Sequence, residues 1–163
     1  MRTLCTTVFA LLLSCGLAFG QADQVEYVGS EGSSIASAVK IPADHTLFWT
    51  SGTVPPTVDT TAAEGSKARY GDMETQATGA LQRVADKLEA QGLSMDDVVF
   101  LKVYLVPNED GSVNFDGWSA AYAKFFGTEE TPTTPARSTM AVHQLFLPGW
   151  RVEVEAVAAM PPK

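Results

Sequence analysis

Cysteine and histidine are scarce in this sequence: it has two of each in 163 residues. Both cysteines, Cys5 and Cys15, lie near the N-terminus, so the rest of the chain has no thiolate nucleophile, disulfide or cysteine metal ligand. His45 and His143 are too few to build a histidine-rich metal site. These shortages exclude cysteine-based catalysis and the common zinc sites from the main part of the chain.

Positive charge is also in short supply. The chain has 11 Lys and Arg against 19 Asp and Glu, which gives a formal net charge of −8 at pH 7. The charged residues are spread along the chain and form no long block of one sign. A net negative surface repels phosphate backbones, so we expect no nucleic-acid partner. The same shortage disfavours binding to an anionic membrane surface.

An apolar N-terminal run predicts a secretory signal peptide over residues 1–22. Met1 and Arg2 supply the short basic region, and residues 8–13 begin an apolar region that continues to Phe19. Small residues near Gly20 provide a site that a signal peptidase reads, and the run is too short to span a bilayer comfortably. We therefore expect cleavage near Gly20 or Ala22, export to the periplasm or medium, and no membrane attachment after cleavage.

A second interpretation of the same segment is a lipoprotein signal. Leu12-Leu13-Ser14-Cys15 resembles a lipobox, in which Cys15 is lipidated and anchors the protein. The sequence after Cys15 stays apolar, whereas a lipoprotein usually turns polar there. Ordinary cleavage is therefore the favoured interpretation.

Residues 23–163 have the length of one ordinary domain, and their patterns predict strands and helices in alternation. The strand over 98–106 is almost continuously apolar, which is typical of the centre of a sheet. Two segments at the C-terminal end flank a turn at 147–149 and read as a hairpin. The predicted elements are strands over 38–41 and 46–50, a long loop over 54–71, a helix over 72–91, the strand over 98–106, a helix over 115–126 and the hairpin over 136–159.

Both predicted helices carry one apolar face. The first should begin after Asp72, a good N-cap, and stop at Gly92. The second presents an aromatic stripe at helical spacing, which we interpret as core: Phe115, Trp118, Tyr122, Phe125 and Phe126. Two such helices and five strands predict an α+β fold with both helices packed on one face of a sheet.

The predicted hairpin has an arginine near its start and two carboxylates near its end, among apolar residues. Arg137 follows Pro135-Ala136, while Glu153 and Glu155 alternate with valine and alanine. The residues alone leave two interpretations: Arg137 forms an ion pair with a glutamate across the hairpin, or it binds an anionic ligand.

Several segments together resemble the RidA (YjgF/UK114) family of enamine and imine deaminases, and the resemblance covers about residues 32–159. The segments that carry the resemblance are TLFWTSGTVP, GALQRVADKLEAQGLSMDDVVFLKVYL, PARST and VEVEAVA. The resemblance implies a chorismate-mutase-like mixed sheet and a homotrimer with ligand clefts between subunits. It also implies hydrolysis of 2-enamine or 2-imino acids to 2-keto acids and ammonia, without a cofactor or metal.

The same resemblance assigns roles to individual residues. Arg137 matches the arginine that holds the substrate carboxylate, and Glu153 matches the glutamate that orients the attacking water. Ser51 and Ser119 fall at positions that border the substrate, the second where relatives often have asparagine. Glu155 is expected to be structural.

The chain departs from the family pattern around the expected pocket. Ala36-Ser37-Ala38 stands where Gly-Pro-Tyr is typical, so the tyrosine that closes over the substrate is missing at Ala38. SGTVPP replaces the usual Ser-Gly-Gln, and the loops over 57–70 and 107–114 are longer than usual. An alternative function therefore stays open: a trimeric module that binds small carboxylates through Arg137 without turnover.

Overall fold

The structure, a computed structural model, describes residues 24–162. The predicted signal peptide and the alternative lipidation site at Cys15 lie outside the described residues. Within the described part the strands are β1 (Glu26–Val28), β2 (Ala38–Lys40), β3 (Thr46–Trp49), β4 (Val98–Leu105), β5 (Ala136–Ala141) and β6 (Val152–Met160). The helices are α1 (Lys67–Tyr70), α2 (Met73–Glu89) and α3 (Phe115–Tyr122), with a 3₁₀ turn at Met95–Asp97.

Four strands form a mixed sheet in the order β3-β6-β4-β5. β4 pairs antiparallel with β6 and parallel with β5, and β3 pairs antiparallel with β6. The inner position of β4 agrees with its nearly continuous apolar sequence, because an inner strand is covered by neighbours on both edges and packs on both faces. The predicted mixed sheet of an α+β fold is confirmed.

The predicted hairpin is wrong. β5 and β6 do not pair with each other, because β4 lies between them. The segment from β4 through α3 to β5 is a strand-helix-strand crossover, which places β5 parallel beside β4 on one edge. The chain then passes through residues 142–151 to the other edge of β4, so the turn at 147–149 is a link between non-adjacent strands.

Helices α2 and α3 pack on one face of the sheet, as predicted. α2 begins after Asp72, whose side chain accepts a hydrogen bond from the Thr75 backbone N–H at 2.8 Å. Gly92 follows the helix with a φ of +72°, a left-handed conformation that glycine adopts without strain. In α3 the stripe is core only in part, since Trp118 is 1% exposed but Phe115 is 52% exposed. α3 also ends at Tyr122, earlier than predicted.

A second, two-stranded sheet of β1 and β2 covers part of the opposite face. β1 is missing from the sequence-based prediction, and β2 pairs with it rather than with β3. Tyr27 of β1 donates from its hydroxyl to the Val98 carbonyl at 3.1 Å, which ties this small sheet to the start of β4. α1 lies within the segment predicted as a loop over 54–71. None of the helices in residues 24–162 is long and apolar enough to cross a membrane.

Candidate functional site

Arg137 lies on the helix-covered face of the sheet, near the start of the edge strand β5. It is in register with Leu101 of β4, and residues in register project from the same face. Its guanidinium lies over the ring of Tyr122, 4.5 Å from the centroid, and 5.6 Å from that of Trp118. Both rings belong to α3, so the crossover helix positions the arginine.

The Arg137 guanidinium has no ion-pair or hydrogen-bond partner among residues 24–162. Burial lowers the pKa of Arg137, and the nearby Tyr122 partly offsets this. An arginine keeps its charge in spite of such a shift, because its ordinary pKa lies far above neutral pH. A half-buried charge without a counterion is a strong attractor for an anion.

A cavity of about 650 Å³ opens beside Arg137. Ser119 of α3 lines this cavity together with Arg137, so the structure brings these two predicted site residues together. Tyr122 also lines it, and burial raises the pKa of Tyr122 to about 12, so its hydroxyl is protonated at neutral pH. The remaining polar lining comes mainly from a serine-rich loop over 30–34.

Glu153 lies on the other face of the sheet. It is in register with Tyr104 of β4, whereas Arg137 is in register with Leu101, an odd number of residues away. Since side chains alternate between faces along a strand, Glu153 and Arg137 project to opposite sides. One chain therefore does not bring the predicted anchor and the predicted water-orienting group to the same cavity.

The Glu153 carboxylate packs directly on Gly52. A Cβ added to Gly52 would overlap this carboxylate and lie 2.8 Å from its carboxyl carbon. The neighbouring Thr53 bridges to Val154 through two backbone hydrogen bonds of 2.8 and 2.9 Å, which hold the Ser51-Gly52 turn against β6. The structure thus places Gly52, the residue after Ser51, against Glu153 and gives a steric reason for the glycine.

Lys87 of α2 supports the same turn. Its Nζ donates to the Thr53 hydroxyl at 2.6 Å, and that hydroxyl donates to the Ser51 carbonyl at 3.0 Å. Burial and the charge of Arg83 lower the pKa of Lys87. This contact was not predicted from the sequence, because Lys87 and Thr53 are 34 residues apart.

Glu155 has partners of its own on the outer face, the face that α2 and α3 leave free. Tyr104 donates from its hydroxyl to Glu155 at 3.0 Å, and Lys102 lies 3.6 Å from the other carboxylate oxygen. The ion pair of Arg137 with Glu153 or Glu155, which the predicted hairpin allowed, is therefore absent within residues 24–162. His143 is exposed beyond the end of β5.

Tyr122 is the contact of Arg137 that sequence reasoning missed. It was interpreted as one member of an aromatic core stripe, although a buried tyrosine normally needs a hydrogen-bond partner. Its hydroxyl has no such partner in the described part of the chain, and neither does the buried Trp118 indole N–H. The presence of a tyrosine among the phenylalanine and tryptophan residues of the stripe was the sequence signal that could have indicated this contact.

The described residues contain no cluster of three or more His, Cys, Asp or Glu side chains placed to hold a metal ion.

Comparisons with known proteins identify the family. The family model named endoribonuclease L-PSP matches residues 35–160. The chain is 33% identical to protein HMF1 of Saccharomyces cerevisiae over 134 residues, which cover 82% of this chain and 90% of the yeast protein. It is 36% identical to the 2-iminobutanoate/2-iminopropanoate deaminase of Salmonella typhimurium over 88 residues, covering 53% of this chain and 63% of that enzyme.

A solved structure with the same fold comes from Yersinia pestis, a protein of unknown function from the conserved Rid family. The two structures superpose with a TM-score of 0.62 at 21% sequence identity, over 83% of this chain and 98% of the other. At this sequence identity the structural likeness shows the fold alone. Membership of the family is shown by the family model and by the yeast relative. The chain therefore belongs to the Rid (YjgF/UK114) family, the family that the endoribonuclease L-PSP model describes.

Proposed function

We propose that the protein hydrolyses 2-imino acids and their enamine tautomers to 2-keto acids and ammonia. The observation that carries the proposal is the uncompensated guanidinium of Arg137 beside a cavity of about 650 Å³. A guanidinium holds a carboxylate through two parallel, charge-assisted hydrogen bonds, which is the geometry that a 2-imino acid offers. The name of the Salmonella relative, an imino acid deaminase, supports the same class of substrate.

In the proposed reaction Arg137 holds the substrate carboxylate and thereby places the adjacent C=N carbon. Glu153 accepts a proton from a water molecule as the water oxygen bonds to that carbon and the C=N bond becomes single. The proton then passes to the nitrogen, which gives a carbinolamine with one hydroxyl and one amino group. Glu153 next carries the hydroxyl proton to the same nitrogen, so the C–N bond breaks and ammonia leaves. The C=O bond of the 2-keto acid forms in the same step. The reaction is a hydrolysis, in which nothing is oxidised or reduced.

The opposite orientations of Arg137 and Glu153 mean that one chain supplies only half of this site. We infer that the two halves meet between subunits of a homotrimer, as the family resemblance implies. The outer face of the sheet supports association, because it exposes large apolar side chains next to polar ones. Leu47 is 47% exposed, Trp49 is 64% exposed and Met140 is 39% exposed.

The reaction has a direct assay. An amino-acid oxidase generates a 2-imino acid in solution, semicarbazide traps it, and an active deaminase lowers the amount of trapped product in proportion to the protein added. Glu153→Gln is expected to slow this turnover by about 100-fold or more while 2-keto acid binding stays near wild type, because the amide cannot accept the proton. If Glu153→Gln turns over like wild type, Glu153 is structural.

The alternative function is carboxylate binding without turnover, through the same arginine. Wild-type protein that leaves every imino acid untouched in this assay, yet binds 2-keto acids in an Arg137-dependent manner, establishes that alternative. The predicted signal peptide leads us to propose that either activity operates outside the cytoplasm. The mass of the protein purified from its own host tests this, since retention of Met1 contradicts export.

Gly52→Ala is a second test of the Glu153 half of the site. The new methyl group displaces the Glu153 carboxylate, and a displacement of about 1 Å costs on the order of 100-fold in rate. The free energy of unfolding should change by less than about 1 kcal/mol, because the atom that must move is the end of a flexible side chain.

Imino acid turnover and urea unfolding of the same preparation separate these effects. Gly29→Ala is a matched control, since its added Cβ would meet only ordinary contacts of 3.6 Å or more. Wild-type turnover by Gly52→Ala would show that the position of Glu153 does not matter for the reaction.

A further inference from the structure

The cavity beside Arg137 is unusually rich in hydroxyl groups. Five of its lining residues are serine or threonine, and Arg137 is its single charged residue. Four of these hydroxyls make no hydrogen bond to another group in residues 24–162, and they belong to Ser30, Ser34, Ser119 and Thr134. A ligand held at Arg137 therefore meets one cation and several uncommitted donors and acceptors.

The loop that carries two of these hydroxyls is fixed beside Arg137. Ala36 is 6% exposed, and its backbone N–H donates to the Pro135 carbonyl at 3.2 Å, immediately before β5. The fifth hydroxyl, that of Ser33, is used within the loop, because it donates to the Ile35 carbonyl at 2.7 Å. The other hydroxyls are thus presented by anchored backbone rather than by a free segment.

We propose that the preferred substrates are 2-imino acids whose side chain carries a hydroxyl group, bound with the carboxylate on Arg137 and the side chain among these serine and threonine hydroxyls. This inference rests on the proposed function, because it names the substrate class of the same site. An aliphatic side chain displaces the water on the cavity hydroxyls without replacing its hydrogen bonds, which loses affinity. A hydroxylated side chain of the same size replaces them.

The test compares two stable 2-keto acids that differ only in a hydroxyl in place of a methyl group, 4-hydroxy-2-oxobutanoate and 2-oxopentanoate. Calorimetric titration of wild-type protein should give tighter binding of the hydroxylated acid by about 2- to 10-fold for each hydrogen bond gained. In a Ser34→Ala/Thr134→Val double variant that ratio should fall towards one. Ser138→Ala is the control, since this serine adjoins Arg137 but projects from the opposite face of the sheet.

The outcomes separate this inference from the function on which it rests. If 2-oxopentanoate binds wild-type protein as tightly as the hydroxylated acid, or if the double variant keeps the wild-type ratio, the substrate class is wrong while carboxylate binding stands. If neither acid binds wild-type protein, or if both bind Arg137→Ala with wild-type affinity, the proposed function fails and the inference fails with it.

Discussion

Arg137→Ala is expected to weaken the binding of 2-keto acids, and to lower imino acid turnover, by about 30- to 1000-fold. The reason is the loss of two charge-assisted hydrogen bonds to the ligand carboxylate in a half-buried cavity. Arg137→Lys should recover only part of the affinity, because an ammonium group cannot form the same paired contact and does not stack on Tyr122 in the same way. Calorimetric titration with a 2-keto acid measures both effects.

Arg83→Ala is the matched control for the loss of one arginine. Arg83 is exposed on α2 and donates to the Val54 carbonyl at 3.0 Å, away from the Arg137 cavity. Its removal changes the net charge by the same amount and should leave ligand binding near wild type. An Arg137→Ala protein as active as wild type would make Arg137 a structural residue and remove the centre of the proposed site.

The sharing of the site between subunits is tested with the same variant. Arg137→Ala subunits keep Glu153, and Glu153→Gln subunits keep Arg137, so a co-refolded mixture contains some sites with both groups. With random assembly at equal amounts and two subunits per site, about one quarter of the sites are complete. Turnover near one quarter of wild type, well above that of either variant alone, supports a site shared between subunits. Turnover equal to the average of the two variants measured alone contradicts it.

Gln76→Leu is expected to destabilise the protein by about 3–5 kcal/mol, because it leaves several buried backbone groups without a partner. Gln76 is fully buried in α2, and its amide nitrogen donates to the Gly71 carbonyl at 2.9 Å and the Gly149 carbonyl at 3.1 Å. Its amide oxygen accepts from the Arg151 backbone N–H at 2.8 Å. One side chain therefore joins the start of the helix to the turn that precedes β6.

Urea unfolding measures this effect. Gln82→Leu makes the same substitution at an exposed position of α2, where the glutamine only contacts Asp86 at 3.0 Å, and should change stability by less than about 0.5 kcal/mol. Equal stability of the two variants would show that the Gln76 hydrogen bonds are readily replaced by water.

Local patterns were sufficient to predict the elements whose signals are contiguous in the chain. The cap at Asp72, the stop at Gly92 and the apolar run of β4 depend on residues within a few positions of each other, so the sequence indicates them directly. β1 was missed because it is three residues long, shorter than any reliable alternation. The helix α1 has only four residues and was not predicted for the same reason.

The amino-acid sequence alone shows which chemical groups the protein has: an arginine near the start of one strand, two glutamates in the last strand, and no thiol after residue 15. How these groups are arranged in space depends on the order of the strands in the folded sheet. Strand order depends on long-range packing, so the local pattern did not indicate that β4 lies between β5 and β6. For the same reason it did not indicate that Arg137 and Glu153 are separated. Because side chains alternate along each strand, that register leaves Arg137 facing Tyr122 and Glu153 packed on Gly52, on opposite sides of one sheet.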